Sequence, residues 1–374
     1  MALCAITSAF AQTSKDVLAF RSKTAIASST LMSSDMETVD AKPRFVMKVA
    51  GAAGTPMAFS VAGVENKLSV IIGDGEPKEY TVSTDITKLT PITINTTAEN
   101  QSVVIEGDLL AINCKGNKLS AVDCSSSDKL VLLDCSENQL GQMDISALTS
   151  AKYVYLMNNS ITNLITGELP LLEELNVSFN GLTSVNLANF PGLKALSVDN
   201  NKISSLSVEQ NTKLEKLYCK SNKIQALDIT MLPGLKELSA SGNRLTTIDL
   251  SKNEQLELLA LKDNSLESIN LGNNAKLTEI NVNENKLKAI DLSKCTNLVE
   301  LYCNTNELTK LDLAANKSLQ TLSCGDNKLT TLNVEGMEEL ESMAAMYNEL
   351  TSVDVKNCPT LMAVSLDHNM LNGL

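Results

Sequence analysis

The chain has 374 residues, 43% hydrophobic and 20% charged, enough to bury a large core in one elongated domain or two compact ones. It has no Trp, 3% aromatic residues and one histidine, His368, which nearly excludes His-based catalysis and His-rich metal sites. Its 31 basic against 44 acidic residues give a net charge of −13, which argues against nucleic acid as a partner, and no apolar run approaches the ~20 residues that span a bilayer.

Residues 1–11 form a short apolar stretch ending in Ala9-Phe10-Ala11, a small-x-small pattern that suits signal-peptidase cleavage. No Lys or Arg precedes it, so it reads as part of a longer signal peptide. Cys4 is discounted as a lipidation site because Leu3 is bulky where a small residue is needed. Residues 12–41 are rich in Ser, Thr and Ala without periodicity and read as a linker. Over 42–108 the texture changes. Short β-branched and apolar segments at 44–50, 56–62, 67–72, 79–83, 92–96 and 102–106, separated by Gly-rich turns, predict a small β-sandwich-like cap.

From Leu109 to Leu374 the sequence repeats every 21 residues, thirteen times without insertion or deletion, the last unit being incomplete. Numbering each unit from Leu109, Leu130, Ala151 and their successors, apolar residues recur at positions 4, 6, 11, 14 and 16. Asn occupies position 9 in every unit, from Asn117 to Asn369. Apolar residues at 4 and 6 between polar ones predict a short strand with one face inward. A lone strand of this kind buries nothing; stacking units at ~4.8 Å buries a continuous core. The Asn amide both donates and accepts, so at the end of the strand it is expected to pair backbone groups of its own and adjacent coils.

This is the pattern L-x-x-L-x-L-x-x-N-x-L of leucine-rich repeats. The run 298–313, with Cys303 at position 6 and Leu-Asp-Leu at its end, resembles the 21-residue cysteine-ladder repeats of internalin J-like surface proteins and the leucine-rich-repeat surface proteins of Bacteroidetes. The resemblance implies an exported, right-handed β-rich leucine-rich-repeat solenoid with its parallel sheet on the concave face, used for adhesion or ligand capture. The chain departs from the family in stopping at Leu374 without an anchoring domain, and it is expected to be a fragment or truncated product. Cys114, Cys135, Cys219, Cys303 and Cys324 all occupy position 6 and are expected to be buried, reduced thiols acting as small hydrophobes. No Cys-x-x-Cys spacing exists, so neither a metal site nor a cofactor is expected.

Positions 3, 5, 7, 8 and 10 are expected to project from the sheet. Five of the six tyrosines fall there: Tyr153, Tyr155, Tyr218, Tyr302 and Tyr347. Leu132, Tyr153, Tyr155, Met157 and Phe179, from three consecutive units, are expected to form one exposed apolar patch suited to a protein ligand. Met346, Tyr347, His368 and Met370 form a second cluster. Lys216, Lys220 and Lys223 make a local basic spot, with Glu237 in the next unit as a partner for the first. No P-loop, G-x-S-x-G, H-E-x-x-H or dinucleotide fingerprint occurs, so the chain reads as non-enzymatic. The expected partner is a host or neighbouring-cell protein. A glycan stacked on the tyrosines, and a structural stalk presenting another domain, are the alternatives.

Overall fold

The computed structural model describes residues 42–371. The expected signal peptide, the linker, Cys4 and the last three residues lie outside the described residues. The chain divides into two compact units, one ending at Leu193 and one beginning at Lys194.

In the first unit each of the six expected segments overlaps a strand: β1 (Arg44–Val49), β2 (Pro56–Gly63), β3 (Lys67–Ile72), β4 (Lys78–Thr81), β5 (Thr90–Asn95) and β6 (Ser102–Glu106). The first repeat adds β7 (Leu109–Asn113) and β8 (Leu119–Asp123). Alternation sets the packing. Phe45, Met47 and Val49 of β1, Met57, Phe59 and Val61 of β2, and Val103 and Ile105 of β6 are buried, while residues between them turn outward. Two layers result, with strand orders β4-β3-β6-β1-β8 and β5-β2-β7. The second layer then continues through Leu132–Asp134, Tyr153–Tyr155 and Glu174–Asn176, parallel to β7. One strand of the first repeat thus closes each cap sheet, and the edge that a first repeat would otherwise present is paired with antiparallel strands. The link from β6 to β7 requires Gly107: its φ is +120°, and a Cβ there would lie 2.6 Å from Leu68 Cδ2.

The second unit stacks nine strands at positions 3–5 of their repeats, from Ala195–Ser197 to Ala363–Ser365, all parallel and in register. No helix occurs among the described residues. Position 8 lies in the left-handed region in all thirteen repeats of the two units, with φ between 51° and 70°. Two consecutive turns close each coil: in one repeat the Asn253 N–H donates to Leu250 and the Leu256 N–H to Asn253, at 3.0 Å each. Position 19 sits between these turns, and Leu148, Phe190, Cys295 and Asn316 there point inward and are all fully buried.

The position-9 ladder forms with a fixed set of partners. Asn138 Oδ1 accepts from the Leu119 N–H at 2.9 Å, and its Nδ2 donates to the Cys114, Cys135 and Ser136 carbonyls at 2.9–3.1 Å. Asn327 repeats this pattern with Leu308, Cys303, Cys324 and Gly325. The first amide has no preceding coil, and β2 supplies one: Asn117 accepts from the Ala58 N–H at 2.9 Å and donates to the Ala58 carbonyl at 2.8 Å. The five position-6 cysteines are fully buried, as expected of small hydrophobes in the core. Burial pushes the Cys324 thiol up to about 12.

Candidate functional site

The outward face of the strands is the candidate binding surface, and burial sorts its residues. Three side chains expected to project do not. Leu132 is fully buried, Tyr155 is 7% exposed and Tyr218 is 3% exposed. For the first two the reason is the cap. The β4–β5 connection places Ile86 and Leu89 over this part of the face, where they pack with Leu110 and Tyr153 against a cluster of Ala62, Ala111, Leu132 and Tyr155. The five-residue patch is therefore divided: Leu132 and Tyr155 are core, Tyr153 and Met157 are half-buried, and Phe179 is exposed. Met157 packs its sulfur 3.7 Å from Asn176 Nδ2 in the next repeat.

Tyr155 and Tyr218 share a second cause of burial, a hydrogen bond that sequence reading missed. Each stands at position 5 and donates its hydroxyl to a Glu at position 3 of the following repeat, Tyr155 to Glu174 at 2.7 Å and Tyr218 to Glu237. The signal was a Tyr followed nineteen residues later by a Glu. Burial, then the neighbouring carboxylate, pushes the Tyr155 phenol well above its ordinary range. Tyr302 breaks the pattern and donates to Glu300 of its own repeat at 2.6 Å. The expected pair of Lys216 with Glu237 forms at 2.7 Å, so part of the basic spot is neutralised in place.

Three other cations of the face are paired across one repeat spacing. Lys115 meets Glu137 at 2.9 Å, Lys262 meets Glu284 at 2.8 Å and Lys328 meets Glu307 at 3.1 Å. Such exposed pairs contribute only ~0–1 kcal/mol each, and they leave the face mixed in sign. Tyr347 and His368 occupy position 8 of adjacent repeats with ring centroids 4.3 Å apart and planes 6° apart. Tyr347 is 49% exposed, and Met370 beside this pair in sequence is 60% exposed. Among the described residues, no group of three or more His, Cys, Asp or Glu is placed to hold a metal ion.

Comparison with protein-family models and with curated proteins finds no match. Among solved structures, the chain is similar to the functional domain of InlJ from Listeria monocytogenes, which includes a cysteine ladder. The two share 25% identity at a TM-score of 0.53, over 68% of this chain and 57% of that one. It thus spans less than two thirds of the InlJ chain that it matches. An internalin, InlF, of Listeria monocytogenes strain 4b F2365 aligns at 21% identity and a TM-score of 0.61, over 71% of this chain and 82% of that one, a likeness of fold. The leucine-rich-repeat domain of APL1 aligns at 26% identity and a TM-score of 0.57, over 65% of this chain and 69% of that one. The fold is a leucine-rich-repeat β-solenoid of 21-residue period, with similar solved structures among the internalins. No helix among the described residues is long and apolar enough to cross a membrane.

Proposed function

We propose that this chain is an exported, cell-surface recognition protein, adhesin-like and non-enzymatic, that captures a protein ligand on the outward face of its parallel strands. Leucine-rich-repeat proteins of the internalin type are protein-interaction modules, and internalin-like proteins are surface or secreted. The observation that carries the reading is where the exposed aromatics stand. Phe179 is 48% exposed and Tyr347 is 49% exposed, and both occupy position 8, with φ of 54° and 55°. That conformation disfavours bulky side chains by roughly 1–2 kcal/mol and suits Gly or Asn, which other repeats place there as Gly116, Asn158 and Asn200. A large apolar ring kept in solvent at the least hospitable backbone position of the repeat contributes little to the fold and much contact area to a ligand.

Phe179→Asn provides the test. The substitution is expected to raise stability by roughly 1 kcal/mol, read from thermal unfolding, while weakening capture of the protein retained by the wild type by about tenfold or more. Retention of the same protein by both chains would remove the reading. The stacked, nearly parallel rings of the Tyr347–His368 pair favour a second reading, a sugar platform. A glycan array probed with wild type and Tyr347→Asn decides it, since only a Tyr347-dependent glycan signal supports that ligand class.

A further inference from the structure

Position 10 of each repeat lies between the ladder Asn at 9 and a buried apolar residue at 11, so its side chain turns outward. In three consecutive repeats of the second unit it is a cation, Lys202, Lys223 and Arg244, and all three are exposed. Ile203, Ile224 and Leu245 beside them are fully buried. Backbone bonds hold the row in line. The Lys223 N–H donates to the Ile203 carbonyl at 2.8 Å and the Arg244 N–H to the Ile224 carbonyl at 2.9 Å. Successive cations therefore leave the rim one coil, ~4.8 Å, apart.

Elsewhere the same row carries opposite charges. Glu307 and Lys328 occupy position 10 of adjacent repeats and pair at 3.1 Å, so neighbours along the row reach one another. Lys202, Lys223 and Arg244 instead place like charges within that reach, which costs the fold free energy. Among the described residues, none of their side-chain nitrogens has an ion-pair or hydrogen-bond partner. No acid lies in 200–205, 221–226 or 242–247, although the chain carries a net charge of −13. On the strand side Asp199 is buried and bonded to the Lys220 N–H. Acids return in the next repeat, at Asp263 and Glu267, where position 10 is Ser265.

The groups around the row select the kind of anion. Ser204, Ser205, Gln225, Thr246 and Thr247 are exposed beside it and offer hydroxyls and an amide. No exposed aromatic or large aliphatic side chain lies in these three segments. A protein partner is anchored by such side chains, and a single-stranded nucleic acid by stacked aromatic rings. A nucleic-acid duplex carries a charge every ~1.7 Å and is repelled by the acidic remainder of the chain. A chain of hydroxylated rings bearing spaced anionic groups needs only cations and hydrogen-bonding side chains. The stripe supplies both.

We propose that Lys202, Lys223 and Arg244 form a binding stripe for an anionic polysaccharide, a ligand additional to the protein captured on the strand face.

The full chain is titrated by calorimetry with polygalacturonate and with dextran sulfate, and uncharged dextran, polyglutamate and duplex DNA are the comparisons. One or both anionic polysaccharides are expected to bind, about tenfold or more tightly than polyglutamate or DNA, and dextran not at all. Changing Lys202→Ser, Lys223→Ser and Arg244→Ser together should weaken that binding by about tenfold or more. Lys252→Ser, Lys294→Ser and Lys310→Ser together alter the net charge equally at exposed sites outside the stripe, and should change it by less than about twofold. Tyr347→Asn should leave it unchanged, which separates the stripe from the stacked ring pair. The stripe variant relieves repulsion between exposed side chains, so its unfolding temperature is expected to hold or rise, and lost binding in it is not lost folding. Absence of binding, equal losses in the two triple variants, or DNA or polyglutamate binding as tightly would each overturn the proposal. Protein capture plays no part in this measurement, and either outcome leaves the recognition reading to its own test.

Discussion

Asp199 stands at position 7 of its repeat, 7% exposed, with Oδ1 accepting the Lys220 N–H at 2.6 Å. Burial outweighs that hydrogen bond and pushes its carboxyl from 3.8 up to about 6. A carboxyl with a raised folded pKa favours the fold most when protonated, so its contribution is complete below pH ~4 and is lost as the pH rises through about 6. Asp199→Asn keeps the acceptor and removes the charge. It is expected to stabilise the chain by up to about 3 kcal/mol at pH 7.5 and hardly at all at pH 4, read from denaturant unfolding at both values. An equal gain at both would assign the effect to packing. At the outer turns the sign reverses. Asp228, Asp249 and Asp291 lie below their ordinary range because the hydroxyl and N–H of the residue two positions on both donate to them. Their stabilisation is present above pH ~4 and is lost as the pH falls through the lowered values.

At the scale of the element, the Asn ladder does what a helix cap does elsewhere: one side chain satisfies four backbone groups that the turn out of the strand leaves open. Asn327→Ala would leave the Leu308 N–H and the Cys303, Cys324 and Gly325 carbonyls without their amide, at an expected cost of about 3 kcal/mol. The exposed Asn273→Ala is the control and should change stability by less than about 0.5 kcal/mol. Comparable losses in both would mean that Asn acts by local propensity and not by bridging coils. The same turn shows what the strand exit demands of its neighbour. Thr305 and Phe179 hold φ near +55° because the position-8 N–H must reach the next coil, as the Thr305 N–H reaches Gly325 at 2.9 Å.

At the scale of the whole molecule, the cap does more than pair the open edge of the repeats. Ile86 and Leu89 lie over the outward face of the first strands and convert Leu132 and Tyr155 from surface into core. Replacing both with Ser should cost about 2–3 kcal/mol in apolar burial and increase binding of a dye that reports exposed hydrophobic surface. An unchanged dye signal would show that the cluster is closed without them. Tyr155→Ala, which would be silent for an exposed side chain, is expected to be strongly destabilising for the same reason, and it is unsuitable as a probe of binding.

The period of 21, the strand positions, the Asn ladder, the buried position-6 cysteines and the six cap strands were all legible in the sequence. Each follows from alternation, turn chemistry or a repeated amide, which are properties of a short segment and its copies. The Lys216–Glu237 pair was legible too, because register follows once the period is known. The exposure of individual side chains on the outward face was not. Leu132 is buried by residues more than forty positions earlier, and Tyr218 is drawn inward by Glu237. A repeating sequence determines which face a residue occupies; what covers that face depends on distant segments and on adjacent coils, and only tertiary structure brings those together.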